Sequence, residues 1–210
     1  MAFDYKKEYK EYYMPKAKPE IIEIPPMNYI AVRGVGDPNE EGGAYKAAIG
    51  QLYGIAFTLK MSKKGSHQIE GYFDYVVPPL EGFWALPGSD GFDPARKAEF
   101  RWISAIRLPD FVSREDFEWA VRTATDKKKR DFSAAEFLTV REGLCVQMLH
   151  VGPFDDEPES VARMDAFISA NGYANDFTES RLHHEIYLSD FRKTAPEKRK
   201  TVLRHPIRRA

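Results

Sequence analysis

The chain has 210 residues, with Lys+Arg 31 against Asp+Glu 32, a formal charge of −1 and 43% hydrophobic content. That length can bury a real core as one large domain or two small pseudo-repeats, and the balanced charge points away from a nucleic-acid partner. The single cysteine, Cys145, lies in an apolar run, excludes an intramolecular disulfide and fits a reducing cytoplasm. With no apolar signal region at the start and no stretch of membrane-span length, a cytoplasmic protein without a membrane partner is expected.

Residues 1–26 read as a polar Lys/Glu/Tyr-rich lead-in that ends at Pro25-Pro26, ahead of a domain over 27–210. Met27 to Val35 alternates as a strand, with Tyr29 and Ala31 on one side and Ile30 and Val32 on the other, and Gly34-Val35-Gly36-Asp37-Pro38 breaks it. From Gly43 the apolar residues Ala48, Leu52, Ile55 and Leu59 recur at helical spacing, with Tyr53 and Phe57 beside that stripe. Ile69 to Val77 and Glu81 to Leu86 read as a hairpin-related strand pair, and Gly88-Ser89-Asp90-Gly91 with Pro94 as a loop. Phe100 to Leu108 is a strand with Phe100, Trp102, Ser104 and Ile106 on one face. Ser113-Arg114-Glu115-Asp116 is an N-cap with early acids, opening a helix that buries Phe117, Ala120, Val121 and Ala124.

The organisation then recurs. Leu144 to Val151 is a strand ending in Gly152-Pro153, a helix follows from about Pro158 to Asn171, and His183 to Leu188 and Thr201 to Leu203 are further strands. Strand, glycine turn, helix, strand, strand thus appears twice, in repeats of about 27–127 and 144–207. The predicted class is α+β: two pseudo-symmetric βαββ repeats with antiparallel sheets, helices on one side, and a ligand cleft between the halves.

The most informative string is His183-His184-Glu185-Ile186-Tyr187-Leu188. Strand alternation puts His183, Glu185 and Tyr187 on one face, and a carboxylate on the inner side of a sheet is costly unless it is paired, neutralised or met by a ligand. Trp84 and Trp102 are the best candidates for the wall of a cavity around it; Phe100 faces the same way as Trp102, and Phe83, Tyr53, Phe57 and Tyr29 are weaker candidates. His183-His184 point to opposite faces, which argues against one metal held by both, and no metal or cofactor is expected. Gly34-Val35-Gly36 lacks the remaining glycine of a dinucleotide fingerprint. Cys145 reads as a packed small side chain, and the basic stretch from Arg192 to Arg209 as a solvated end.

Three segments resemble the GyrI-like small-molecule-binding family: Tyr29-Ile30-Ala31-Val32-Arg33-Gly34, Met148-Leu149-His150-Val151-Gly152-Pro153-Phe154, and, most specifically, His184-Glu185-Ile186-Tyr187-Leu188. The resemblance spans about residues 25–207. It implies paired βαββ repeats around an acid in an aromatic cleft, the effector-binding half of multidrug-sensing regulators. Pro79-Leu80-Glu81-Gly82-Phe83-Trp84 is more similar to a standalone branch that hydrolyses the cyclopropane ring of DNA-alkylating cyclopropanoid compounds. On that reading Glu185 acts as a base or orients water, the Tyr187 O–H donates a hydrogen bond or helps hold Glu185, and aromatic residues hold a planar substrate. Two alternatives stand beside it: a non-catalytic binder that sequesters planar hydrophobic or cationic drugs, and a gyrase-interacting protein, the least favoured of the three.

Overall fold

Alternating apolar and polar residues build the strands of this chain, and the side-chain period of two decides what each sheet face carries. The computed structural model describes residues 2–88 and 94–210, the side chains of Pro94 and Ala95 excepted; most of the loop expected over 88–94 lies outside the described residues. In chain order the elements are α1 (Tyr5–Glu8), α2 (Lys10–Tyr13), β1 (Glu20–Ile24), β2 (Met27–Val35), α3 (Ala44–Lys60), β3 (Leu80–Ala85), β4 (Arg101–Arg107) and α4 (Arg114–Lys128). They continue with β5 (Ala135–Val140), β6 (Gly143–Val151), α5 (Glu157–Ala170), β7 (Tyr173–Asn175), β8 (His183–Tyr187) and β9 (Lys200–Arg209).

The strands form one nine-stranded antiparallel sheet in the order β1-β6-β9-β8-β3-β4-β2-β5, with β7 attached to β9. The order reads alike from both edges toward the β8–β3 seam. The repeats are β2-α3-β3-β4 and β6-α5-β8-β9, giving the α+β arrangement of two βαββ units. Their expected separate sheets are one sheet, because β3 and β8 pair from Leu80↔Tyr187 to Trp84↔His183.

Ile30, Val32, Leu80, Trp84, Trp102 and Ile106 pack against Ala48, Leu52, Ile55 and Leu59 of α3. Val146, Met148 and Leu203 pack against Met164 and Ile168 of α5. Strand register puts both sets on the same sheet face, so α3 and α5 lie on one side with β3 and β8 as the floor between them. Full burial of a side chain such as Leu52 stabilises by about 1.5–3 kcal/mol. Ser113 and Asp116 close a reciprocal capping box at the start of α4, and Phe117, Ala120 and Ala124 join the α3 core.

The lead-in packs along the body, on the opposite face of the sheet. Tyr5 and Tyr13 are buried, and the Arg107 guanidinium lies 5.0 Å from the centre of the Tyr5 ring and 4.8 Å from that of Tyr9. Arg204 donates to the Tyr12 carbonyl at 2.8 Å, and β1 pairs with β6. Beneath this cover His184 bridges Glu142 Oε1 (3.0 Å) and Glu81 Oε2 (2.9 Å), while Arg204 donates to Glu142 Oε2 at 3.0 Å and to the Gln147 amide oxygen. Burial alone would raise the Glu142 carboxyl; His184 and Arg204 outweigh it and hold it at about 2.

Two expectations change. Ile69–Val77 is not a strand: Gly71 takes a positive φ of 70°, and the backbone at Asp74 and Val76 bonds to Phe3 of the lead-in. The basic end is solvated only in part: Arg192, Lys193, Lys198, Lys200, Arg208 and Arg209 are exposed, but β9 runs between β6 and β8 with Thr201 through Ile207 buried, and the Arg204 charge is tolerable there because Glu142 meets it. In addition, Ala135–Val140 forms edge strand β5 on β2. Among the described residues no helix is long and apolar enough to cross a membrane.

Candidate functional site

The seam strand β8 places His183, Glu185 and Tyr187 on the helix-bearing face, and across the seam they meet Trp84, Gly82 and Leu80 of β3. Trp84 is in turn the register partner of Trp102 on β4. Two glycines make room for these rings. A Cβ on Gly34 would lie 2.2 Å from the Trp102 indole, and one on Gly82 would lie 2.6 Å from Trp84 Nε1 and 2.9 Å from the Tyr187 hydroxyl. Tyr45 of α3 completes the cluster, tilted on Trp84 at 5.3 Å and edge-on to Trp102 at 5.0 Å.

Two hollows open along this line. The larger, about 710 Å³, is walled by Trp84, Trp102, His183, His205, Phe177 and Asn175, among others. The smaller, about 180 Å³, lies at the other end, against Tyr187, Tyr53, Phe191 and Arg192. Glu185 sits between them and is 4% exposed.

Glu185 is not locked to an arginine. Its Oε1 is 3.0 Å from His183 Nε2, and His183 Nδ1 is 2.7 Å from His205 Nε2. Trp84 Nε1 donates to the Tyr187 oxygen at 3.2 Å. Burial, and next the Glu185 charge, raise the Tyr187 phenol well above its ordinary range, so Tyr187 keeps its hydrogen.

A second acid joins them. Glu157, at the first turn of α5, is 1% exposed, and its Oε1 has no hydrogen-bond partner. Burial first and the Glu185 charge second push its carboxyl well above the usual carboxylate range, so the pair holds a proton. Glu157, His183 and Glu185 each bring one ligand atom within 4.8 Å of the others, a donor set able to hold a divalent cation, although one His183–Glu185 contact is already a hydrogen bond. Other buried polar atoms also lack partners: the Tyr45 hydroxyl, Trp102 Nε1, Ser104 Oγ, Asn175 Oδ1 and His205 Nδ1. Buried polar atoms are nearly always satisfied, so such a concentration around one cleft marks where a ligand or water belongs.

Of the residues proposed from sequence, the fold brings Glu185, Tyr187, Trp84, Trp102 and His183 to this cleft. Phe100 packs edge-on behind Trp84 at 5.8 Å, as core. Tyr53 borders the smaller hollow, whereas Phe57, stacked on Tyr53, points outward and is 51% exposed. Phe83 and Tyr29 lie on the opposite face, where Phe83 stacks on His184, because each is one residue out of phase with the cleft-facing positions. Sequence reading missed Glu157 and His205. An acid in the first turn of a helix is ordinary capping chemistry, and His205 was hidden in the basic end.

These features define a small-molecule-binding protein. The chain matches the GyrI-like small molecule binding domain over residues 17–208 and belongs to that family. A hydrolase from Listeria innocua is 47% identical, the match covering 98% of this chain and 100% of that one, with a TM-score of 0.89. An uncharacterized conserved protein from Listeria innocua is 49% identical, with 98% and 100% coverage and a TM-score of 0.91. The EcmrR C-terminal domain, 12% identical over 92% of this chain and 98% of its own, shares the fold alone at a TM-score of 0.57. Comparison with curated proteins gives no match.

Proposed function

We propose that this protein is a hydrolase of planar, strained electrophiles, of the type in which a cyclopropane is conjugated to a dienone. The observation that carries this reading is the buried pair Glu157 and Glu185, close enough for their carboxyl oxygens to share one partner, next to a tryptophan-walled cavity. A pair of buried neighbouring carboxyl groups is a site that can supply an acid and a base together. The similarity to a Listeria innocua hydrolase points the same way.

In this mechanism Trp84 and Trp102 hold the flat ring system, each stacking contact contributing about 0.5–1.5 kcal/mol beyond burial. The oxygen of a water bonds to the ring carbon as the cyclopropane C–C bond breaks, and that electron pair moves through the dienone to its oxygen. The Glu185 charge provides the base strength that removes the water's proton. Trp102 Nε1–H, which has no partner, is the donor available to the developing oxyanion. Protonation of that oxygen gives a phenol, so the products are substrate plus one water.

The test is incubation with a cyclopropane-bearing alkylator while ring-opened product is followed. Turnover beyond one equivalent, lost in Glu185→Gln with ligand binding retained, is the expected result. A plateau at one equivalent makes the protein a sequestering binder, and no uptake at all removes the reading.

A further inference from the structure

The large cavity is bordered by His183 and His205 but not by Glu185, the charge on which the proposed reaction depends. The hydrogen bonds joining the three have a direction that their chemistry fixes. A carboxylate oxygen only accepts, so His183 Nε2 carries the hydrogen across the 3.0 Å contact to Glu185 Oε1. A neutral imidazole with its hydrogen on Nε2 has a lone pair on Nδ1, and His205 Nε2 therefore donates across the 2.7 Å contact. This leaves the His205 lone pair on Nδ1, a buried atom without a partner.

We propose that His205 Nδ1 is the atom through which Glu185 acts on the cavity, His205 being a catalytic residue and His183 and Glu185 the residues that position and polarise it. The proposal rests on the hydrolase reading and names its contact atom. As the water oxygen bonds to the ring carbon, its proton passes to His205 Nδ1. The resulting imidazolium is stabilised by Glu185 through His183, as a carboxylate steadies a histidine in a catalytic triad. The same proton then passes to the phenolate oxygen, and the site returns to its starting state with no net proton gained. The charged and titratable groups that share the cavity are Arg33, Arg101, Asp165, Glu179 and His183.

Two measurements test it together. In the wild-type protein labelled with ¹⁵N-histidine, NMR should find His205 protonated on Nε2 and bare on Nδ1; a hydrogen on Nδ1 overturns the proposal. On a cyclopropane substrate, His205→Ala should lose about 100-fold or more of the turnover rate, the scale of a lost general base, with affinity little changed and partial rescue by added imidazole. His205→Gln can place an amide N–H where Nε2 meets His183 but has no basic nitrogen, and should fail equally, which guards against a misfolded alanine variant. Full activity in His205→Gln with Glu185→Gln inactive overturns the relay and leaves the hydrolase reading intact. No turnover by the wild type removes the hydrolase reading, and the catalytic role of His205 with it.

Discussion

Gly82 lies directly across the seam from Glu185, its register partner on the neighbouring strand. The acid thus faces a residue without a side chain, and the space above Gly82 is used by the Trp84 N–H donating to the Tyr187 oxygen. A methyl group there would sit 2.6 Å from Trp84 Nε1 and 2.9 Å from the Tyr187 hydroxyl. Gly82→Ala should therefore force both rings aside. The expected cost is about 1–3 kcal/mol of stability, the scale of overpacking a well-filled core, with turnover falling by more than stability alone explains. Thermal melts and steady-state rates on one preparation check this.

The two buried acids should leave opposite signatures in stability against pH. Glu157 has a raised carboxyl, so above the ordinary value of 4.5 the folded protein binds a proton that the unfolded chain releases, and stability falls as pH rises toward the raised value. Glu157→Gln should abolish that fall and gain on the wild type as pH increases. Glu142 is held at about 2 by His184 and Arg204, so its contribution is complete above 4.5 and fades as pH drops toward 2. Glu142→Gln removes that acid-side loss and strands Arg204, costing about 3–5 kcal/mol near neutrality. Denaturant titrations at a series of pH values decide both.

Trp102 and Phe83 stand on adjacent strands, yet on opposite sheet faces. Trp102→Phe should weaken binding of a planar ligand by roughly 5–10-fold, since it removes part of a stacking wall and an N–H donor. Phe83→Leu should leave affinity unchanged and lower stability by about 1 kcal/mol through repacking against His184 and Tyr29. Ligand titration by tryptophan fluorescence or calorimetry separates the two outcomes; equal effects would mean that ligands bind elsewhere.

Much of this molecule is written in its chain. The periods of two and 3.6 are local properties, so the strands around Ile30, Trp102 and Glu185, the helices around Leu52 and Met164, and the doubling of the βαββ unit follow from residue order. The face shared by His183, Glu185 and Tyr187 is legible for the same reason. Which residues meet across strands is not local. Only the antiparallel register set Gly82 against Glu185, and Phe83 on the side away from the cleft. Only helix packing carried Glu157 from the start of α5 to the acid on β8, and only the central position of β9 buried His205 beside His183. Residue order determined the repeats and the acid at their seam, because backbone geometry alternates side chains whatever lies around them. The second acid, the histidine chain and the packing of the tryptophans beside the cavity were decided by the tertiary structure, because burial and pairing depend on segments far apart in sequence.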